Sequence, residues 1–181
     1  MALDYRALWD AAVPWDRFLN PAMTLYPLWS GIYQRAKAPD WAVARARALG
    51  PIRFLVINGD WCWDGANIIP WVVRLAESIG TEARTAIRDE NVELMNQYLT
   101  NGSGSIPIVI GLDEEFRVRG HWGPRPAELQ AWVLIHRPTM PRDQRYAEMR
   151  RWYLRDNGES TLGELLTALE KPLRSSSPFP S

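Results

Sequence analysis

The chain has 181 residues and a mass of 20.8 kDa, which suits one domain of ordinary size and leaves little room for two independent cores. Hydrophobic residues make up 46% and charged residues 23%, so wholesale disorder and a fibrous repeat are both excluded. Lysine plus arginine and aspartate plus glutamate each number 21, and a formal net charge of zero offers no field of one sign to gather nucleic acid or an anionic membrane.

From the amino terminus, Met1 to Pro14 carries Asp4 and Asp10 and lacks a basic segment followed by an apolar one, so it does not read as a signal peptide. No apolar run approaches the roughly 18 to 20 residues that span a bilayer, and a cytoplasmic protein is expected. Residues 1–50 read as a helical extension broken by prolines. Leu25, Leu28, Trp29, Ile32 and Tyr33 fall on one helical stripe, and Asp40 is placed to cap a helix over 41–49 that Gly50 and Pro51 stop. Ile52 to Ile57 is a nearly continuous apolar run between turn signals, as expected of a strand buried on both faces.

After Asn58, Gly59 and Asp60 comes Trp-Cys-Trp-Asp-Gly, and then a helix whose apolar face includes Ile69, Val72, Val73, Ala76 and Ile79, with Pro70 placed to kink it. Thr81 to Arg88 is predicted as a second strand, Asp89 as the cap of a helix through Leu94, Met95, Tyr98 and Leu99, and Thr100 to Gly104 as a turn. Ser105 to Leu112 reads as a strand with Pro107 near its start. Phe116 to Trp122 completes an antiparallel hairpin that places Arg117, Arg119 and His121 on its polar face. Gly123-Pro124-Arg125-Pro126 leads into a helix through Leu129, Trp132, Val133 and His136. Further helices follow over 138–171, one ended by Asn157 and Gly158 and one capped by Thr161 with Glu164 three residues on. The segment 172–181, rich in serine and proline, reads as a disordered tail.

This order predicts an α/β fold with a mixed sheet and helices on both faces: a core over 51–137 flanked by the helices of 1–50 and 138–171, in one globular domain. Of the ten tryptophans, most serve to knit helices onto the sheet, but Trp61 and Trp63 flank the chain's one cysteine. A single cysteine rules out an internal disulfide framework. With only His121 and His136 beside it, no soft-ligand metal site is expected. His121 reads as solvated, His136 as satisfied at a helix end, and Arg125 as ordering its loop rather than holding an anion.

Cys62 lies where a buried strand hands over to a helix. Unpaired N–H groups and the positive end of the peptide dipoles favour thiolate there, and Asp60 and Asp64 oppose it. A modest net lowering of the thiol pKa, to about 6.5–8 from the reference near 8.5, is expected. An inert buried cysteine is the other reading of the same residue.

Several segments resemble a known family. Trp61-Cys62 after an apolar strand, Pro70 eight residues beyond the cysteine, and Ser105-Ile106-Pro107 before a β run are similar to the active-site segment, helix kink and cis-proline loop of thioredoxins. Asp60-Trp61-Cys62, the stretch from Arg88 to Gly102, and Trp122-Gly123-Pro124-Arg125-Pro126 resemble more closely a bacterial subgroup of thioredoxin-like proteins. The likeness is strongest from about Phe54 to Pro126. It implies a thioredoxin-like three-layer α/β/α sandwich with extra terminal helices, and a cis peptide at Pro107 where local sequence alone reads as a trans, strand-edge proline.

The resemblance also has two gaps. Thioredoxins carry a second cysteine where this chain has Gly65, and a buried aspartate on the central strand where it has Val56. Intramolecular resolution of a mixed disulfide needs that second thiol. The implied activity is therefore monothiol thiol–disulfide exchange: Cys62 is the catalytic residue, Trp61, Trp63, Asp64, Gly65, Ile106 and Pro107 bind substrate, and extended peptides add a strand at Ile106. No bound cofactor is implied; the co-substrate is an external low-molecular-weight thiol, glutathione-like or bacillithiol-like. The expected partner is a protein or small-molecule disulfide, without nucleic acid or membrane, on a monomer or homodimer. The alternative is a non-catalytic binding module on the same fold. A peroxidase is a poorer match, because peroxiredoxins place a threonine three residues before the cysteine and Gly59 stands there.

Overall fold

In the computed structural model, which describes residues 3–171, the apolar run forms β2 (Arg53–Asn58), and every residue of it after Arg53 is buried. Burial on both faces requires a layer on each side of the strand, and the chain supplies both. Around β2 the sheet order is β1-β3-β2-β4-β5, with β1 at Val13–Pro14, β3 at Ala83–Ile87, β4 at Ile108–Leu112 and β5 at Val118–Trp122. The β2–β3 pair is parallel, with Val56 opposite Thr85, and the remaining pairs are antiparallel, with Val56 opposite Val109 across β2 and β4.

Parallel pairing needs a crossover, and α5 (Trp63–Ser78) provides it. Alternation along β2 then divides the core. Phe54 and Val56 pack with α3 (Tyr26–Arg35), α4 (Asp40–Ala48), α5 and α9 (Glu159–Glu170), whereas Leu55 and Ile57 pack with α1 (Tyr5–Ala11) and α6 (Val92–Asn96). The result is the three-layer α/β/α sandwich with additional helices at both ends of the chain.

The α9 helix lies directly on the hairpin. A Cβ added at Gly111 would stand 2.5 Å from Leu169 Cδ2, and one added at Gly120 would stand 2.7 Å from the Ala168 carbonyl oxygen. Two strand glycines, each costly in a sheet, thus admit a helix whose Leu162, Leu165, Leu166 and Leu169 are fully buried. Between the hairpin and α9 run α7 (Ala127–His136) and α8 (Arg142–Asp156), and α8 ends through left-handed Asn157 and Gly158.

Several expected details differ. The amino-terminal segment is not wholly helical, because Val13–Pro14 joins the sheet as its edge next to the short α2 (Trp15–Phe18). Asp40 is the first residue of α4 rather than its cap; Pro39 holds the cap position without a side-chain bond. A 3-10 turn covers Arg88–Glu90, so Asp89 does not cap α6 and Asn91 precedes it. Thr161 lies inside α9 with its hydroxyl buried and unpartnered, and Glu164 instead accepts from Trp122 Nε1–H and the Ala127 N–H. The α5 helix runs on through a buried Pro70. The tail expected over 172–181 lies outside the described residues. Among those residues no helix is long and apolar enough to cross a membrane, and no cluster of metal-ligating side chains occurs.

Candidate functional site

The site begins where β2 ends. Asn58 closes the strand, and Gly59, Asp60 and Trp61 turn the chain so that Cys62 becomes the N-cap of α5. The amino-terminal segment holds this turn in place: the Thr24 N–H donates to Asp60 Oδ2 at 2.7 Å and Trp29 Nε1–H to the Asp60 carbonyl at 2.8 Å. Trp61 folds its ring over Gly59, where an added Cβ would lie 2.9 Å from the indole. Trp61 is 42% exposed, and the Arg88 guanidinium lies 4.5 Å above the centroid of its ring.

The Gly65 N–H donates to Cys62 Sγ at 3.2 Å, and the thiol points its own proton toward the Ile106 carbonyl at 3.6 Å. Ile106–Pro107 and Gly123–Pro124 are both cis peptides. The two proline loops touch at Gly123, whose φ of +136° and lack of a side chain admit the Pro107 carbonyl; a Cβ there would stand 2.2 Å from that oxygen. Cys62, Gly65, Ile106 and Pro107, distant in sequence, are thus brought together. All four are buried, Cys62 at 7% exposure and Ile106 at 6%.

Burial decides the state of the thiol. Removing the charged form from water pushes the Cys62 pKa up to about 12, and the neighbouring Asp64 carboxylate adds to the rise. The Gly65 and Asp64 N–H groups at the helix start and the Arg125 guanidinium all favour thiolate, but together they are weaker. This corrects the expected lowering. The helix start does supply donors to the thiolate, but the cost of burying an anion is larger.

Asp64 is the centre of a buried polar network. At 5% exposure it accepts from Arg125 Nη2 at 2.7 Å and Nε at 2.9 Å, and from the Tyr153 hydroxyl at 2.7 Å. Arg125 also donates to Gln130 Oε1 at 2.8 Å. A carboxylate removed from water is tolerable only with such partners, and these come from the second proline loop and α8, with α7 steadying Arg125 through Gln130. Burial, followed by the Asp64 charge, raises the Tyr153 pKa well above its ordinary value, so the hydroxyl keeps its proton and remains a donor. Trp63 stacks on Tyr146 of α8 with ring centroids 5.9 Å apart.

The residues expected to bind substrate therefore separate into groups. Trp61 lies at the surface and Trp63 is half covered by α8; Asp64 is committed to Arg125 and Tyr153; Gly65, Ile106 and Pro107 lie beneath. Ile106, expected to pair with an added strand, is buried, and its carbonyl faces the Cys62 thiol at 3.6 Å. Arg125 orders its loop by pairing with Asp64. His136 Nδ1 lies 2.8 Å from the Trp132 carbonyl, and His121 rests edge-on against Tyr98, with burial lowering its pKa. Sequence reasoning passed over two residues. Tyr153 carries no local signal of its role. Asn58 does, as a polar residue ending an otherwise apolar strand: it is fully buried, and neither Oδ1 nor Nδ2 has a partner.

Comparison with known proteins adds the following. A family model described as Thioredoxin matches residues 27–150. Two solved structures are similar across 93% of this chain and 98% of theirs: an HIV epitope-scaffold at 18% identity with a TM-score of 0.71, and a protein of unknown function from Pseudomonas aeruginosa at 17% identity with a TM-score of 0.70. No curated protein matches the sequence.

Proposed function

Since the chain belongs to the thioredoxin family, we propose that it is a protein-binding module on that fold, in which Trp61 and Arg88 meet a partner and Cys62 is a resting thiol beneath them. The observation that carries this reading is the burial of Cys62, 7% exposed with Sγ enclosed between the Gly65 N–H and the Ile106 carbonyl, and that burial favours the protonated thiol. At pH 7.5 a thiol titrating near 12 is ionised in about three molecules per hundred thousand, against about one in ten for an ordinary cysteine. Nucleophilicity rises with pKa along a slope of about 0.4–0.5, which recovers roughly fortyfold of that roughly three-thousandfold deficit. A gap of about a hundredfold below a free cysteine is left, before access to a buried sulfur is counted.

The rim above the thiol suits a contact surface. An exposed indole with a guanidinium stacked on it offers large apolar area with little rotamer freedom to lose, the composition of interface hot spots.

A second reading, monothiol exchange, is favoured by one observation: Sγ sits at the α5 N-cap beside the Ile106–Pro107 loop. In that chemistry Cys62 thiolate attacks a mixed disulfide, a sulfur–sulfur bond to Cys62 forms as the first thiol leaves, and an external thiol such as glutathione then attacks the other sulfur of that bond, releasing Cys62 thiolate and departing as a disulfide with the second group. One assay separates the two. Reduction of a small disulfide by glutathione is followed with wild type, with Cys62→Ser and without protein. Equal rates in all three support the module; wild-type turnover above background that Cys62→Ser abolishes refutes it in favour of exchange. Partner capture should survive Cys62→Ser and be lost in Trp61→Ala.

A further inference from the structure

Position 65 lies in the first turn of α5, three residues beyond the Cys62 cap, and its N–H is 3.2 Å from Sγ. Two residues so spaced on a helix share a face, and a thiol at 65 would be within bridging range of Cys62. Gly65 itself has ordinary helical backbone, so no left-handed conformation calls for glycine there. Glycine is among the poorest residues for a helix interior. The reason for it lies on the neighbouring strand.

A Cβ added at Gly65 would stand 2.4 Å from Asn58 Oδ1, 2.8 Å from Nδ2 and 2.9 Å from Cγ. No other glycine in the described residues meets a polar side chain so closely. The carboxamide has little room to yield, because it is fully buried at the end of the central strand, and it reaches no hydrogen-bond partner where it stands. An unpartnered buried amide is unfavourable by itself.

We propose that Asn58 is the positioning residue that keeps this centre a single thiol: its carboxamide fills the space into which any side chain at 65 would project. The inference rests on geometry alone and holds whether or not Cys62 takes part in exchange. It follows that placing cysteine at 65 does not restore a dithiol centre, whereas placing it there after shortening Asn58 does. The oxidation is balanced by oxidised dithiothreitol: a sulfur–sulfur bond forms between Cys62 and the introduced thiol, the reagent's disulfide is reduced to its dithiol, and two electrons and two protons pass from protein to reagent.

Wild type, Gly65→Cys and Asn58→Ala/Gly65→Cys are incubated with oxidised dithiothreitol and their free thiols counted by mass spectrometry after alkylation, with Cys62→Ser added to the double variant as a control. Two free thiols are expected in Gly65→Cys and none in Asn58→Ala/Gly65→Cys. A disulfide between Cys62 and the introduced thiol that forms as readily with Asn58 intact would overturn the proposal. Should Gly65→Cys fail to fold, a cycle of Gly65→Ala with Asn58→Ala decides the matter by thermal unfolding. Gly65→Ala is expected to lower Tm by about 3–10 °C with Asn58 in place and to have little or no effect in the Asn58→Ala background. Equal shifts in the two backgrounds refute it.

Discussion

Replacing Asp64 by asparagine removes one negative charge from beside Cys62 while keeping the shape of the side chain and a carbonyl to accept from Tyr153. The positive charge of Arg125, which already favours the thiolate, then acts without the opposing carboxylate. Both favour the thiolate, so the Cys62 pKa should fall from its position near 12. A single charge at such close range moves a pKa by about 1–3 units. Each unit brings tenfold more thiolate at pH 7.5 and, along a slope of about 0.4–0.5, costs part of its nucleophilicity. The net expectation is a reaction with a disulfide reagent about 3- to 40-fold faster than wild type. Cys62 is the chain's only thiol, so the release of the chromophore from an aromatic disulfide reports it alone. Burial restricts access in both proteins alike, which makes their ratio more informative than either rate. The buried Arg125 loses its charge partner, so a stability loss of about 1–3 kcal/mol by urea unfolding is expected as well. A folded Asp64→Asn protein that reacts at the wild-type rate or more slowly would show that Asp64 does not hold the thiol protonated.

Two further outcomes can be checked directly. Because Cys62 keeps its proton to about pH 12 when folded while a cysteine in the unfolded chain gives it up near 9, the unfolded state binds fewer protons between those values, and stability falls as pH rises through that window. The contribution is up to about 1.4 kcal/mol per pH unit, and urea unfolding of Cys62→Ser should show a shallower alkaline decline; an unchanged slope would contradict the raised pKa. Gly158 combines a φ of +79° with a close approach in which an added Cβ would lie 2.3 Å from Trp71 Cδ2. Gly158→Ala is therefore expected to cost about 2–4 kcal/mol and roughly 5–15 °C in Tm, and a near-neutral result by calorimetry would count against the placement of α8 and α9.

The parts of this molecule that were legible in sequence are those where one local signal dominates. The run from Ile52 to Ile57 could be a doubly buried strand because it is apolar without alternation, and it occupies the middle of the sheet. The cysteine's position at a helix start followed from the same strand and the amphipathic stretch after it. What escaped depended on distant partners. Val13–Pro14 is too short to carry a period and is a strand only because β3 lies beside it. Asp40, Asp89 and Thr161 have side chains suited to capping, but none of them stands at an N-cap position: Asp40 opens α4 one residue too late, Asp89 falls in the 3-10 turn before α6, and Thr161 lies inside α9. The thiol pKa departs from expectation because the neighbours of Cys62 are visible in the sequence and its burial is not. Asn58 shows the limit most clearly: its identity is plain in the sequence, and its meaning appears only when Gly65 is found against it.

The Asp64 network joins two properties that are ordinarily independent. One oxygen of its carboxylate accepts a hydrogen bond from the Tyr153 hydroxyl on α8, while its charge helps to keep the proton on Cys62. Thermodynamic linkage then runs both ways. Whatever disturbs the seating of α8 alters the acidity of a sulfur on a different helix, and whatever strips or caps that sulfur feeds back on how firmly α8 is seated. The reactivity of one atom thus serves as a gauge of how well the carboxy-terminal helices are docked.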